Sequence, residues 1–240
     1  MSEIMIHRHT RLSIFMHWFN AFCWFALLLT GLGLIKNEEL NPVGAWLPNL
    51  MRSLFGGGEN LLMVHQYLGL VWAGIFLAYV LLRPRETWVF LKEVFTVSPA
   101  SDMLWLAKMN LKMTLGRKGL QRFGLTPDLP PQGFYNFGQK VFAQASVVGG
   151  VVIVATGLTM FFSTIFMDNP EPAAWSRVIH YLTVGLVFAG LLVHIFMAAI
   201  SREERPAFLS MFTGSVPEHY ARHHHPLWFA QVSAEKEKDG

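Results

Sequence analysis

With 52% hydrophobic and only 15% charged residues over 240 positions, and a mean hydropathy of +0.36, this chain is too apolar for an ordinary soluble domain and too short for a large transporter. The net charge of +3 and pI near 9.1 would suit nucleic acid, but the basic residues flank apolar segments as they do in membrane proteins, so no nucleic-acid partner is expected. The single cysteine, Cys23, excludes an internal disulfide, a thiolate-held iron–sulfur cluster and covalent haem attachment, leaving nitrogen and oxygen ligands for any cofactor.

Four apolar spans follow in chain order, at residues 13–35, 61–82, 142–167 and 178–200. Each is about long enough for a crossing of roughly 20 residues, and none contains Asp, Glu, Lys or Arg. The first is too long for a secretory signal and has no small-residue cleavage site, so it reads as a retained helix. Residues 36–60 hold Pro42, Pro48 and the run Gly56-Gly57-Gly58 among Trp46, Leu47, Leu50 and Leu54, which predicts an amphipathic piece lying on the membrane surface and ending in a turn. The long connection of residues 83–139 carries a mixed basic and apolar stretch at residues 107–115, an interfacial helix by the same argument, and Pro127, Pro130 and Pro131 break the chain before the third span. The expected fold is all-α: an integral membrane four-helix transmembrane bundle with interfacial helices, one domain over residues 1–240, with a tail from 201 to 240. No internal repeat of the kind transporters use stands out.

Of the 19 Lys and Arg residues, all but Lys36, Arg52 and Arg177 lie on the side that holds both termini and residues 83–139. The positive-inside rule puts that side in the cytoplasm, in a multi-pass protein of the cell's inner membrane.

Four of the ten histidines lie within spans: His17, His65, His180 and His194. An ionisable side chain in a bilayer costs a few kcal/mol at least and signals function by default. His180 and His194 share a helix and a face, about four turns or roughly 21 Å apart, near opposite sides of a core about 30 Å thick. By depth, His17 pairs with His194 near the cytoplasm and His65 with His180 near the outer face. Two bis-histidine iron centres would result, both haem, with no open coordination position, suited to electron transfer. A proton relay or transporter and plain interhelical hydrogen bonding are the alternatives. Two pairs so far apart do not make one zinc site. Gly69, one turn after His65 on the same face, would let a porphyrin lie against the helix. The run His223-His224-His225 suggests metal binding, but Pro226 and Trp228 behind it favour a docked cytoplasmic tail.

These residues resemble the cytochrome b (gamma) subunit of membrane-bound formate dehydrogenase, within the wider dihaem cytochrome b family of respiratory dehydrogenase and hydrogenase subunits. The likeness runs through Met16-His17-Trp18, His65-Gln66-Tyr67-Leu68-Gly69, Tyr135-Asn136-Phe137-Gly138-Gln139-Lys140, His180, His194 and His223-His224-His225-Pro226-Leu227-Trp228. The resemblance implies two b haems with His65/His180 and His17/His194 as axial pairs, and a site for menaquinone or another quinone at Asn136, Gly138 and Gln139 beside the inner haem. It implies an iron–sulfur (beta) subunit and a molybdenum- or tungsten-containing catalytic (alpha) subunit as partners, with membrane lipid around the chain, and leaves a higher oligomer open. The chain itself would not oxidise formate; it would reduce quinone for the complex. The equivalent subunit of a hydrogenase or thiosulfate reductase is the nearest alternative, and a haem-free membrane anchor or proton-coupled transporter the alternative of another class. The sequence departs from the pattern in its longer connection after the second span and in the apolar residues before His17, which leave Arg11 as the nearest basic partner for an inner-haem propionate. Asn136 also reads as the N-cap of the third span.

Overall fold

In the computed structural model, residues 3–126, 128–166 and 169–239 are described. They form a helical membrane protein with one short two-stranded sheet. In chain order these are β1 (Met5–His7), α1 (Arg11–Leu34), α2 (Trp46–Leu54), α3 (Gly58–Leu82), α4 (Pro84–Phe95), α5 (Pro99–Arg122), α6 (Phe137–Phe166), α7 (Glu171–Ile195), α8 (Arg205–Thr213), β2 (Ser215–Pro217), α9 (Glu218–His224) and α10 (Pro226–Asp239). The helices long and apolar enough to cross a membrane are α1, α3, α6 and α7, the last continued by one wide π turn at Phe196–Ile200. Their large apolar side chains point outward: Phe22, Leu29, Leu77, Leu81, Val151, Leu186 and Val193 are all exposed, the reverse of a water-soluble core and the arrangement a lipid solvent selects.

Local chemistry sets the helix ends. The Thr10 hydroxyl accepts from Ser13 N at 3.2 Å and caps α1, Pro99 opens α5 where a missing N–H costs nothing, and Asn169 Oδ1 accepts from Glu171 N at 2.9 Å at the start of α7. Gly116 breaks α5 at φ 67, a conformation that side chains with a Cβ resist. The third and fourth long helices begin at Phe137 and Glu171 rather than 142 and 178. Lys140 and Arg177, outside the apolar runs, continue the same helices beyond them. Met167, the end of the third predicted span, lies outside the described residues.

The chain divides into two compact units. One comprises Thr10–Pro84 and Val148–Ala189. In it α1 and α3 are joined by a hydrogen bond from Trp72 Nε1 to Asn20 Oδ1 at 3.0 Å. Where α1 ends and α3 begins, Leu47 and Met51 of α2 are buried against Leu61, Leu32 and Phe55, so the predicted surface piece is a helix with one face docked on α1 and α3. Tyr181 O–H donates to the Leu40 carbonyl at 2.7 Å, tying α7 to the same loop.

The other unit comprises Met1–His9, Arg85–Val147 and Gly190–Gly240. Here β1 and β2 pair antiparallel, Met5 opposite Pro217 and His7 opposite Ser215. Ile6, Val216, Tyr220, Ala221 and Trp228 form its buried apolar cluster. Gly214, left-handed at φ 80, turns its carbonyl to accept from Arg8 N at 2.7 Å and His9 N at 2.9 Å; a Cβ there would stand 2.8 Å from the His9 carbonyl.

Candidate functional site

Within the first unit, α3 and α7 present His65 and His180 to each other. Their ring centres lie 6.5 Å apart with planes at 69°. Two metal–imidazole bonds of about 2 Å, each with roughly 1 Å from nitrogen to ring centre, bring two rings on one metal to about 6 Å. The separation is therefore that of two imidazoles facing one metal ion. Each ring uses Nδ1 toward a threonine, His65 with Thr30 Oγ1 of α1 at 2.8 Å and His180 with Thr156 Oγ1 of α6 at 3.0 Å. Both Nε2 atoms remain as the nitrogens that could meet a metal.

The neighbours of these rings are small. A Cβ on Gly31 would come within 3.3 Å of His65 Cε1, and one on Gly157 within 3.7 Å of His180 Cε1. The same two-residue step, Thr then Gly, thus serves both histidines, as Thr30-Gly31 on α1 and Thr156-Gly157 on α6. At Gly69, expected to lie beside a porphyrin, the nearest side chain is Leu27 of α1. Among the described residues no three of His, Cys, Asp or Glu converge as a metal cluster. The residues present fit a bis-imidazole iron porphyrin at His65 and His180.

His17 and His194 fall one in each unit. Nδ1 of His17 is buried without a hydrogen-bond partner, and its ring meets Trp18 edge-on at 5.1 Å. His194 is stacked on Phe142 of α6, ring centres 4.5 Å apart and planes at 14°.

Asn136, Gly138 and Gln139 open α6 in the unit that holds His194. Asn136 Oδ1 accepts from Gln139 N at 2.9 Å, and Gln139 Oε1 accepts from Asn136 N at 3.1 Å. This reciprocal capping box spends both side-chain oxygens on the backbone, so the amide NH2 groups are what the two residues have to offer a ligand. Gly138 packs against Trp105 of α5. Lys140 Nζ donates to the Thr96 carbonyl at 2.8 Å and lies 3.9 Å from the Asp102 carboxylate.

Just before this segment lies a buried polar cluster that the sequence did not reveal. Arg8, 8% exposed, donates through Nη2 to the Phe134 carbonyl at 2.6 Å and sits 4.9 and 5.2 Å from the ring centres of Phe134 and Trp228. His225, fully buried, donates from Nδ1 to the Gly133 carbonyl at 2.8 Å, and Leu227 N donates to the Gln132 carbonyl. Gln132 Oε1 in turn accepts from Phe137 N at 2.7 Å. Tyr220 O–H donates to Glu204 at 2.5 Å, and His224 stands 3.4 Å from the same carboxylate. Burial lowers the Arg8 guanidinium, against the acidic pull of Tyr220, Tyr135 and Glu204. Burial also raises the Tyr220 phenol, reinforced by Glu204. It would raise Glu204 too, but the hydrogen bonds and charges of His224, Tyr220 and His225 outweigh it and hold the carboxyl below its ordinary value. Burial and the Arg8 charge push His225 down to about 3. Of the tail's histidine run, His225 is thus a neutral structural donor and His224 a carboxylate neighbour.

An all-α membrane bundle with two half-buried imidazoles facing each other across one metal's width, each with its Nδ1 engaged by a threonine, has the build of a membrane cytochrome b. The chain belongs to the prokaryotic cytochrome b561 family, whose description matches residues 8–214. That membership makes it a b-haem-binding protein of membrane electron transfer. Its relatives include the formate dehydrogenase cytochrome b556(fdo) subunit of Escherichia coli, 23% identical over 97% of this chain and 96% of that one. The formate dehydrogenase cytochrome b556 subunit of Haemophilus influenzae is 24% identical over 99% and 88%. The nitrate-inducible cytochrome b556(Fdn) subunit of Escherichia coli is 24% identical over 93% and 90%.

Proposed function

We propose that this chain is the membrane electron-transfer subunit of a respiratory formate dehydrogenase, with two b haems and a quinone site at its cytoplasmic end. The facing pair His65 and His180, each with Nδ1 held by a threonine, carries the reading, and the names of relatives matched over nearly the whole chain support the choice of formate dehydrogenase. His65 and His180 hold the outer haem; His17 and His194 hold the inner one. Haem bound there would supply one-electron chemistry, and the protein's own residues contribute ligation, insulation from water and proton placement. Asn136 and Gln139 direct their amide N–H groups to the quinone carbonyls, with Gly138 leaving room. Phe142, one turn after Gly138 on α6, stacks on His194, which supports a quinone site beside that ligand. Menaquinone or another quinone takes its protons from cytoplasmic water there. The partners are an iron–sulfur subunit and a molybdenum or tungsten catalytic subunit outside the cytoplasm, in the inner membrane, with both ends of this single-domain chain cytoplasmic.

A pyridine haemochrome assay on the purified protein tests the reading. Two haems per chain are expected, one of them lost in His65→Ala or His180→Ala and the other in His17→Ala or His194→Ala. One haem in a fully loaded wild-type preparation refutes it.

A further inference from the structure

The two threonines beside the outer histidines do identical chemistry from different helices. Thr30 Oγ1 donates to the carbonyls of its own helix, Ala26 at 2.8 Å and Leu27 at 3.1 Å. Thr156 Oγ1 does the same toward Val152 at 2.7 Å and Ile153 at 3.1 Å. A hydroxyl has one proton. With that proton committed to the helix backbone, the oxygen facing the imidazole can only accept, so the ring nitrogen 2.8 or 3.0 Å away must carry hydrogen. Both rings are thereby fixed as the Nδ1–H tautomer with the lone pair on Nε2. Both threonines are themselves buried, 4% and 8% exposed, so water does not compete for the bond.

We propose that Thr30 and Thr156 are positioning residues that lock the tautomer of the two axial imidazoles and tune the reduction potential of the haem between them. The inference rests on the reading of His65 and His180 as that haem's axial pair. An acceptor on the distal N–H makes an imidazole more basic and a stronger donor to iron, which favours the oxidised metal. Because both rings meet the same kind of acceptor, the two effects have the same sign and add. The outer haem is held at a lower potential than bare imidazoles would give, which favours onward passage of the electron. Gly31 and Gly157, next in sequence, keep each ring free to take the orientation its threonine dictates.

Redox titration of the haem-loaded complex, followed by optical and low-temperature EPR spectra, tests this. Thr30→Val and Thr156→Val preserve shape and remove the acceptor. Each is expected to keep two haems per chain and to shift one of the two midpoint potentials upward, the double variant further, with the other potential unmoved. Thr30→Ser and Thr156→Ser are expected to restore the wild-type potential and EPR g values. Unmoved potentials in valine variants that retain both haems, or equal shifts with serine and valine, overturn the proposal. If a valine variant sheds haem, the serine variant decides: wild-type haem content and potential support the acceptor role, and loss with serine too overturns it. Retention of both haems in His65→Ala or His180→Ala would bring down the axial-pair reading instead, a result distinct from unmoved potentials.

Discussion

His225 is buried and neutral, held to the Gly133 carbonyl, with Arg8, Glu204, Tyr220 and His224 around it. Its value near 3 lies below the 6.5 of a free histidine, so between those values the unfolded chain binds a proton that the folded chain does not. Stability is full above about 6.5 and falls as pH drops toward 3, by at most roughly 1.4 kcal/mol per pH unit. Glu204, held below its ordinary value, adds loss in the same direction once pH falls through the carboxylate range. Thermal melts in detergent at pH 7.5 and about 4.5 are expected to show a marked drop that His225→Asn reduces; a His225→Asn protein with the wild-type pH slope would assign the drop elsewhere. The four membrane histidines were legible from the sequence because charge and imidazole are so scarce in the spans. Arg8 was not: it looks like one more flanking cation, and its burial comes from Phe134 and Trp228, which only folding brings to it.

The start of α6 combines a structural and a chemical role that substitution can separate. Asn136 caps through its oxygen, whereas a quinone would use its NH2. Asn136→Asp keeps the cap and removes the donor; it should leave thermal stability near wild type while slowing haem reoxidation by a menaquinone analogue at least severalfold in stopped flow. Asn136→Ala should lose both, with about 1 kcal/mol of helix stability. Wild-type reoxidation rates in both variants would place the quinone elsewhere. The spans were legible as elements because apolar runs of this length have few other uses, but their ends were not, since Lys140 and Arg177 continue α6 and α7 beyond the apolar run. The Thr-Gly-Leu step, present at Thr30 and again at Thr156 in the first and third spans, was a repeat in plain sight. Three residues are too few to stand out without the histidines opposite them.

The four apolar helices with their outward Phe, Leu and Val and the one-sided basic residues lead to a single orientation test. In a Cys23→Ser background, a cysteine at Ser53 should react with an impermeant maleimide in intact cells, and one at Ser101 only after the membrane is opened. Labelling of the Ser101 position from outside would invert the topology and exchange the inner and outer haems. The four-helix plan was readable from hydropathy alone, whereas the division into two units was not, because two of its four boundaries, after Val147 and after Ala189, fall inside the apolar runs of α6 and α7. The pairing of Met5–His7 with Ser215–Pro217 sets an order of assembly in time. At about 5 to 20 residues per second the ribosome needs roughly 10 to 40 s between making the two strands. Throughout that interval Arg8 has neither Trp228 nor the Gly214 carbonyl to meet, so the clamp on the segment before α6 closes last, after every membrane helix has been synthesised.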